Sequence, residues 1–176
     1  MSQLAALSLS IGLLGGFATW LFLTVGGVLI WAAFVAWGCY FQAGGNAQAL
    51  RNTLVCNTFG AGVAWVAAVV ILALPLADTL TLPGWAAVVV FVTAWLVCMA
   101  ANIPAFATIP ASFYGYASTF AFLLQTPEKM NLATLTSPTL DNAFIVTALS
   151  MGIGALFGYV SGRLGGVLMA RDARAA

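Results

Sequence analysis

Uncharged hydrogen-bonding side chains fall inside the long apolar stretches of this chain: Asn57, Thr58, Asn102, Ser112, Ser118, Thr119, Thr147 and Ser150. Such groups can replace the hydration of a small neutral solute. An amide in an apolar span is costly without partners, so Asn57 is the strongest single candidate. Trp37 and Tyr116 could narrow a path, which makes Asn57, Thr58, Trp37, Tyr116, Thr119 and Ser150 the candidate lining. For any one of them the plainer role is an interhelical hydrogen bond, worth about 0.6 kcal/mol. Histidine is absent, and Asp78, Glu128 and Asp141 fall at span ends or in loops. The spans therefore hold no evident general base, nucleophile–base pair or metal cluster, and the expectation is a protein that is not an enzyme and carries no cofactor or metal. Apart from Arg163, expected at the cytoplasmic end of span six, the spans offer no ionisable group for a proton relay, so passive permeation fits better than proton coupling. Sodium coupling through backbone carbonyls and hydroxyls stays open.

Positioning such groups falls to a membrane-embedded scaffold. The chain has 176 residues, is 63% hydrophobic and only 5% charged, with a mean hydropathy of +1.07. Soluble domains carry roughly 25% charged residues. The expected partners are the lipid bilayer, further copies of the chain in a homo-oligomer, and a small neutral solute. A net charge of +1 sets nucleic acid aside. Cys39, Cys56 and Cys98 read as small core residues. Met1-Ser2-Gln3 lacks the positive segment of a signal peptide, so the first apolar run is expected to stay attached.

The fold class expected is all-α, one transmembrane domain over residues 1–176 with about six spans. A span needs about 20 apolar residues. Span one is Leu4 to Leu23, before Gly26-Gly27; span two is Val28 to Phe41, short, before Gly44-Gly45-Asn46. Span three runs from Thr53 to Ala77 past Leu74-Pro75, and span four from Pro83 to Ile103. Pro104 and Pro110 confine span five to Ala111 to Leu124, again short or broken. Gln125 to Asn142 is the long polar connection, and Asp141 or Asn142 caps span six, Ala143 to Met169.

Six spans put both termini on one side. Arg51, Arg163, Arg171 and Arg174 fall on that side, and Lys129 stands opposite with Asp78, Glu128 and Asp141. The positive-inside rule then makes the termini cytoplasmic. Trp20, Trp31 and Trp85 belong near the outer face and Tyr40 near the inner one, while Trp65, Trp95 and Tyr114 lie deeper and need polar partners. A 3+3 inverted repeat is a second expectation, from Phe34 to Phe41 (FVAWGCYF) against Phe113 to Phe120 (FYGYASTF) and from Gly60-Ala61-Gly62 against Gly152-Ile153-Gly154. Gly154, Gly158, Gly162 and Gly166 recur every fourth residue, which on a helix draws a small-residue stripe for close packing.

Three segments carry a family likeness: Trp31-Ala32-Ala33-Phe34 through Tyr40-Phe41 with Gly44-Gly45, Pro110 through Gly115 with Thr119-Phe120, and Gly154 with Gly158-Tyr159. With these the chain resembles a small family of bacterial inner-membrane proteins known as domain of unknown function 1097. The resemblance implies a multi-pass inner-membrane protein and brings no settled activity. The leading functional expectation is a channel or facilitator for urea, a short amide or a neutral weak acid. The alternatives are a non-transporting structural or regulatory subunit and an exporter of aromatic weak acids.

Overall fold

A computed structural model describes residues 2–74 and 76–175, without the side chains of 171–175. Pro75 and the side chains of Arg171 and Arg174, invoked above, lie outside the described residues. The described chain is helical: α1 Gln3–Val25, α2 Ile30–Gln42, α3 Ala47–Ala73, α4 Ala77–Leu80, α5 Leu82–Met99, α6 Ile109–Gln125, α7 Leu132–Leu135 and α8 Ala143–Ala175. Four stretches, Gln3–Val25, Ala47–Ala73, Leu82–Asn102 and Ala143–Ala170, are long and apolar enough to cross a bilayer. Helices α2 and α6, with 13 and 17 residues, are shorter.

Local chemistry sets the ends. Ser2 caps α1, its Oγ accepting from Ala5 N at 3.2 Å. Gly44 and Gly45, at φ 114° and 63°, turn the chain where most side chains would be strained. Asn46 then caps α3, taking Ala49 N at 2.9 Å. That cap starts α3 six residues before the expected Thr53. Its end also differs, because α3 stops at Ala73 and Ala77 opens the separate α4. The fourth span, Leu82–Asn102, agrees with the expected Pro83 to Ile103 to within one residue at each end, its last turn being the 3₁₀ turn Ala100–Asn102, and a second 3₁₀ turn, Pro104–Phe106, follows.

The broadest contacts are α3 with α6 and α2 with α8, and α3 with α8 joins the two pairs. Helix α1 runs antiparallel to α8, because Leu7 lies against Gly165 and Ser10 Oγ donates to Ser161 O at 2.7 Å. The start of α1 and the last turns of α8 therefore share one end of the bundle, called here the terminal end. At the far end, Gly27 meets Leu140.

Both short helices begin below the surface. Leu29 N donates to Ser150 Oγ at 2.9 Å, about 10 Å along α8 from its first residue. At the terminal end, Cys56 Sγ donates to Ala105 O at 3.6 Å and Phe106 stacks on Phe59, with centroids 4.3 Å apart. The long connection also folds inward. Leu135 is fully buried among Ala68, Phe122, Leu123, Ala143 and Val146, and its carbonyl accepts from Trp65 Nε1 and Asn142 Nδ2, both at 2.7 Å. Trp65 lies about 12 Å from the end of α3. The connection Gln125 to Asn142 is thus re-entrant at Leu135, while residues such as Glu128, Pro138 and Asp141 stay exposed. Two other expectations are corrected, since Cys98 is exposed and Trp95 and Tyr114 face outward.

Because the start of α1 and the last turns of α8 share one end of the bundle, the arginine asymmetry leads us to propose that a reporter fused after Ala176 reads cytoplasmic and one inserted after the exposed Pro138 periplasmic. A periplasmic reading at the C-terminus would reverse the orientation.

Candidate functional site

Asn57 is 2% exposed, on the face of α3 turned to α6. The two backbones nearly touch there. A Cβ on Gly60 would overlap the Ser112 carbonyl, and one on Gly115 would overlap the Asn57 carbonyl. Asn57 Oδ1 accepts from Cys39 Sγ at 3.8 Å, and Thr53 Oγ1 donates to the same sulfur at 3.7 Å. Four buried side-chain polar atoms lack a hydrogen-bond partner among the described residues: Asn57 Nδ2 on α3, Ser112 Oγ on α6, Thr147 Oγ1 on α8 and Trp85 Nε1 on α5. Each is a group that would lower its free energy by meeting a polar guest.

The other expected path residues sort into two groups. Four are buried and internally bonded. Thr119 Oγ1 donates to Gly115 O at 3.0 Å, and Ser150 Oγ donates to Val146 O at 2.6 Å. Tyr116 Oη meets Thr93 Oγ1 at 2.8 Å, and Trp37 Nε1 donates to Ser161 Oγ at 3.0 Å. Thr58, one residue from Asn57, faces outward instead. It lines an apolar groove of about 1120 Å³ between α3 and α5, with Phe59, Val63, Thr93 and Leu96. Asn102 is exposed and bonds Met99 O at 2.8 Å. The structure therefore brings Asn57 and Thr119 to one helix crossing and leaves Thr58 outside it. Ser161, which holds Trp37 and Ser10, escaped sequence reasoning; its small-residue neighbourhood read only as packing.

The glycine stripe of α8 faces α2. A Cβ on Gly154 would overlap the Ala33 carbonyl, and one on Gly158 would come within 2.9 Å of Tyr40 Cδ1 and 3.1 Å of Trp37 Cδ1. Gly162 has ordinary spacing to Tyr40 and Gly166 has open space. With the helices, the crossing and the stripe in place, the chain can be compared with known proteins. A family model described as "Protein of unknown function (DUF1097)" matches residues 8–166. The chain belongs to this family. No curated protein and no solved structure matches it.

The DUF1097 match runs from α1 to Gly166 and so takes in every helix of the bundle. In this DUF1097 protein a second, smaller pocket with a mixed polar and apolar lining opens at the terminal end. It measures about 250 Å³ and is lined by Tyr40, Gly45, Asn46, Ala47, Tyr159, Gly162 and Arg163. Arg163 Nε and Nη2 donate to Tyr159 Oη at 3.0 and 2.6 Å, and Tyr40 Oη donates to Gly45 O at 2.6 Å.

Proposed function

We propose that this DUF1097 membrane protein moves a small, mostly uncharged solute past the crossing of α3 and α6, with Asn57 as the principal contact. The observation that carries this reading is the trio of buried, unpartnered polar atoms on Asn57, Ser112 and Thr147. Inside a bilayer such atoms are expensive, and a solute bearing both donors and acceptors would satisfy them.

A 3+3 inverted repeat forms part of the proposal. Adding 79 to Ala32, Ala33, Ala36, Trp37, Cys39 and Tyr40, the buried residues of α2, gives Ala111, Ser112, Gly115, Tyr116, Ser118 and Thr119, all buried on α6. The same offset carries Ala6, Ser10 and Ala18 of α1 onto Trp85, Val89 and Val97 of α5, again all buried. Adding 94 to Thr53, Asn57, Gly60, Ala61, Ala64 and Ala67 of α3 gives Thr147, Met151, Gly154, Ala155, Gly158 and Ser161, all buried on α8. Contacts follow the same exchange, since Gly60 against Ser112 becomes Gly154 against Ala33. In this register Gly60 pairs with Gly154, two residues from the pairing that the glycine motifs suggested. Repeats of this kind set solute sites where the halves meet, and Asn57 lies at that meeting.

The test is stopped-flow swelling of proteoliposomes with water, urea, short amides and glycerol. Wild-type vesicles should swell faster than empty ones for at least one solute, and Asn57→Leu should lower that rate about tenfold while the protein stays folded. No acceleration with any solute would sink the transport reading. The second reading, a non-transporting subunit, draws support from the internal bonding of Trp37, Tyr116, Thr119 and Ser150.

A further inference from the structure

We infer that the terminal-end pocket of Tyr40, Asn46, Tyr159, Gly162 and Arg163 binds a small organic monocarboxylate; the inference goes beyond the solute reading above, which concerns uncharged molecules, and rests on the same repeat. At the far end, the cleft beside Trp65 and Ala68 is filled by the chain's own Leu135. Under the 94-residue offset Trp65 and Ala68 become Tyr159 and Gly162, two residues that line the pocket. The connection at this end is only Ala43 to Asn46, against Thr126 to Asn142 at the other. The chain therefore supplies its own apolar plug at one end and leaves the matching cleft to a guest at the other.

The chemistry of the pocket selects that guest. Arg163 is held by two hydrogen bonds to Tyr159 Oη, and its guanidinium carbon lies 5.2 Å from the Tyr159 ring centroid. This fixes the head group while both Nη1 hydrogens and one on Nη2 remain for an anion. Neither Asp78, Glu128 nor Asp141 pairs with it among the described residues. Tyr159 keeps its own hydroxyl proton to donate. Asn46 and Ala47 open α3, whose positive end has the same sign. Tyr40 and Tyr159 meet edge to face, with centroids 6.4 Å apart, and form an aromatic corner beside these donors. A cavity of about 250 Å³ equals about eight water volumes, which suits one ring or a short chain bearing one carboxylate.

Titration calorimetry on the full chain in detergent, with benzoate as the probe, tests the site. Benzoate should bind, whereas benzamide, its neutral counterpart, and chloride should not. Arg163→Gln should weaken benzoate at least about tenfold, as loss of a charge-assisted bond implies. Gly162→Val should abolish binding by filling the pocket, because the nearest atom to a Cβ there is Tyr40 Oη at 3.4 Å. Should that variant unfold, Arg163→Gln still decides the matter, since its side chain is exposed. The inference falls if benzoate fails to bind, if benzamide or chloride binds equally well, or if Arg163→Gln leaves the affinity unchanged. Benzoate binding without solute flux supports this site and sinks the transport reading; flux without benzoate binding does the reverse.

Discussion

Gly60→Ala and Gly154→Ala should each leave little or no monodisperse protein after detergent extraction, although each adds a single methyl group. In both cases the new Cβ falls on a backbone carbonyl of the facing helix, Ser112 on α6 or Ala33 on α2. A side chain could rotate away, but a backbone cannot, so the helices must separate along their contact. Overpacking a core commonly costs about 1–3 kcal/mol where side chains can give, and here the yielding atoms are main chain. Close approach is also what stabilises helix pairs in lipid, where no hydrophobic drive holds them together. Gly158→Leu should fail for a related reason, its branches meeting Tyr40 and Trp37. Gly166→Ala has open space, and Leu156→Ala trims a side chain that is half exposed. Both should keep the wild-type elution profile and a melting temperature close to wild type. A normal profile for Gly154→Ala would show that α2 and α8 are not in contact there.

Asn142→Ala should lower stability by about 2–4 kcal/mol, counting a lost helix cap, one buried and one half-buried hydrogen bond. Its Oδ1 accepts from Phe144 N at 2.9 Å at the start of α8, while Nδ2 donates to Leu135 O at 2.7 Å and Ser137 O at 3.0 Å. One amide thus caps the last helix and ties the re-entrant segment to it. The neighbouring Asp141 pairs with Lys129 at 2.8 Å on an exposed surface, and Asp141→Ala should cost about 0–1 kcal/mol. Thermal unfolding of the two variants side by side distinguishes them. Equal losses would mean that the segment's hold on the bundle is electrostatic.

The long helices were legible because apolar runs and breakers agree at most boundaries. Pro110 and Gly44-Gly45 marked two short helices, and α2 and α6 are indeed shorter than α1, α3, α5 and α8. The start of α3 was hidden because Gln48, Arg51 and Asn52 make its first turns look like a loop, while the decisive cap, Asn46 to Ala49, is a contact rather than a composition. The burial of Leu135 was hidden for a similar reason, since a single leucine in a polar stretch carries no periodic signal. Asn57 and Thr58 were inseparable in sequence. About 100° of helical rotation between neighbours sends one to the α6 crossing and the other to the groove with α5. Cys39 and Arg163 went unchosen as site residues for the opposite cause: the first read as a small core residue and the second as a topology signal, and only Asn57 for the one and the pocket shared with Tyr40 for the other give them a setting.

The pairing of α2 with α8 bears on the order in which the molecule can be made. Helix α6 leaves the ribosome with its main partner α3 already inserted, so that half of the bundle can assemble during synthesis. Helix α2, made early, must wait for the last helix of the chain. Until then Trp37 lacks Ser161 and Leu29 N lacks Ser150, and a 13-residue helix has little length of its own to hold it across the bilayer. A ribosome stalled before α8 would therefore release a chain in which α3 and α6 are already paired while α1 and α2 lack their main partner and are substrates for membrane quality control.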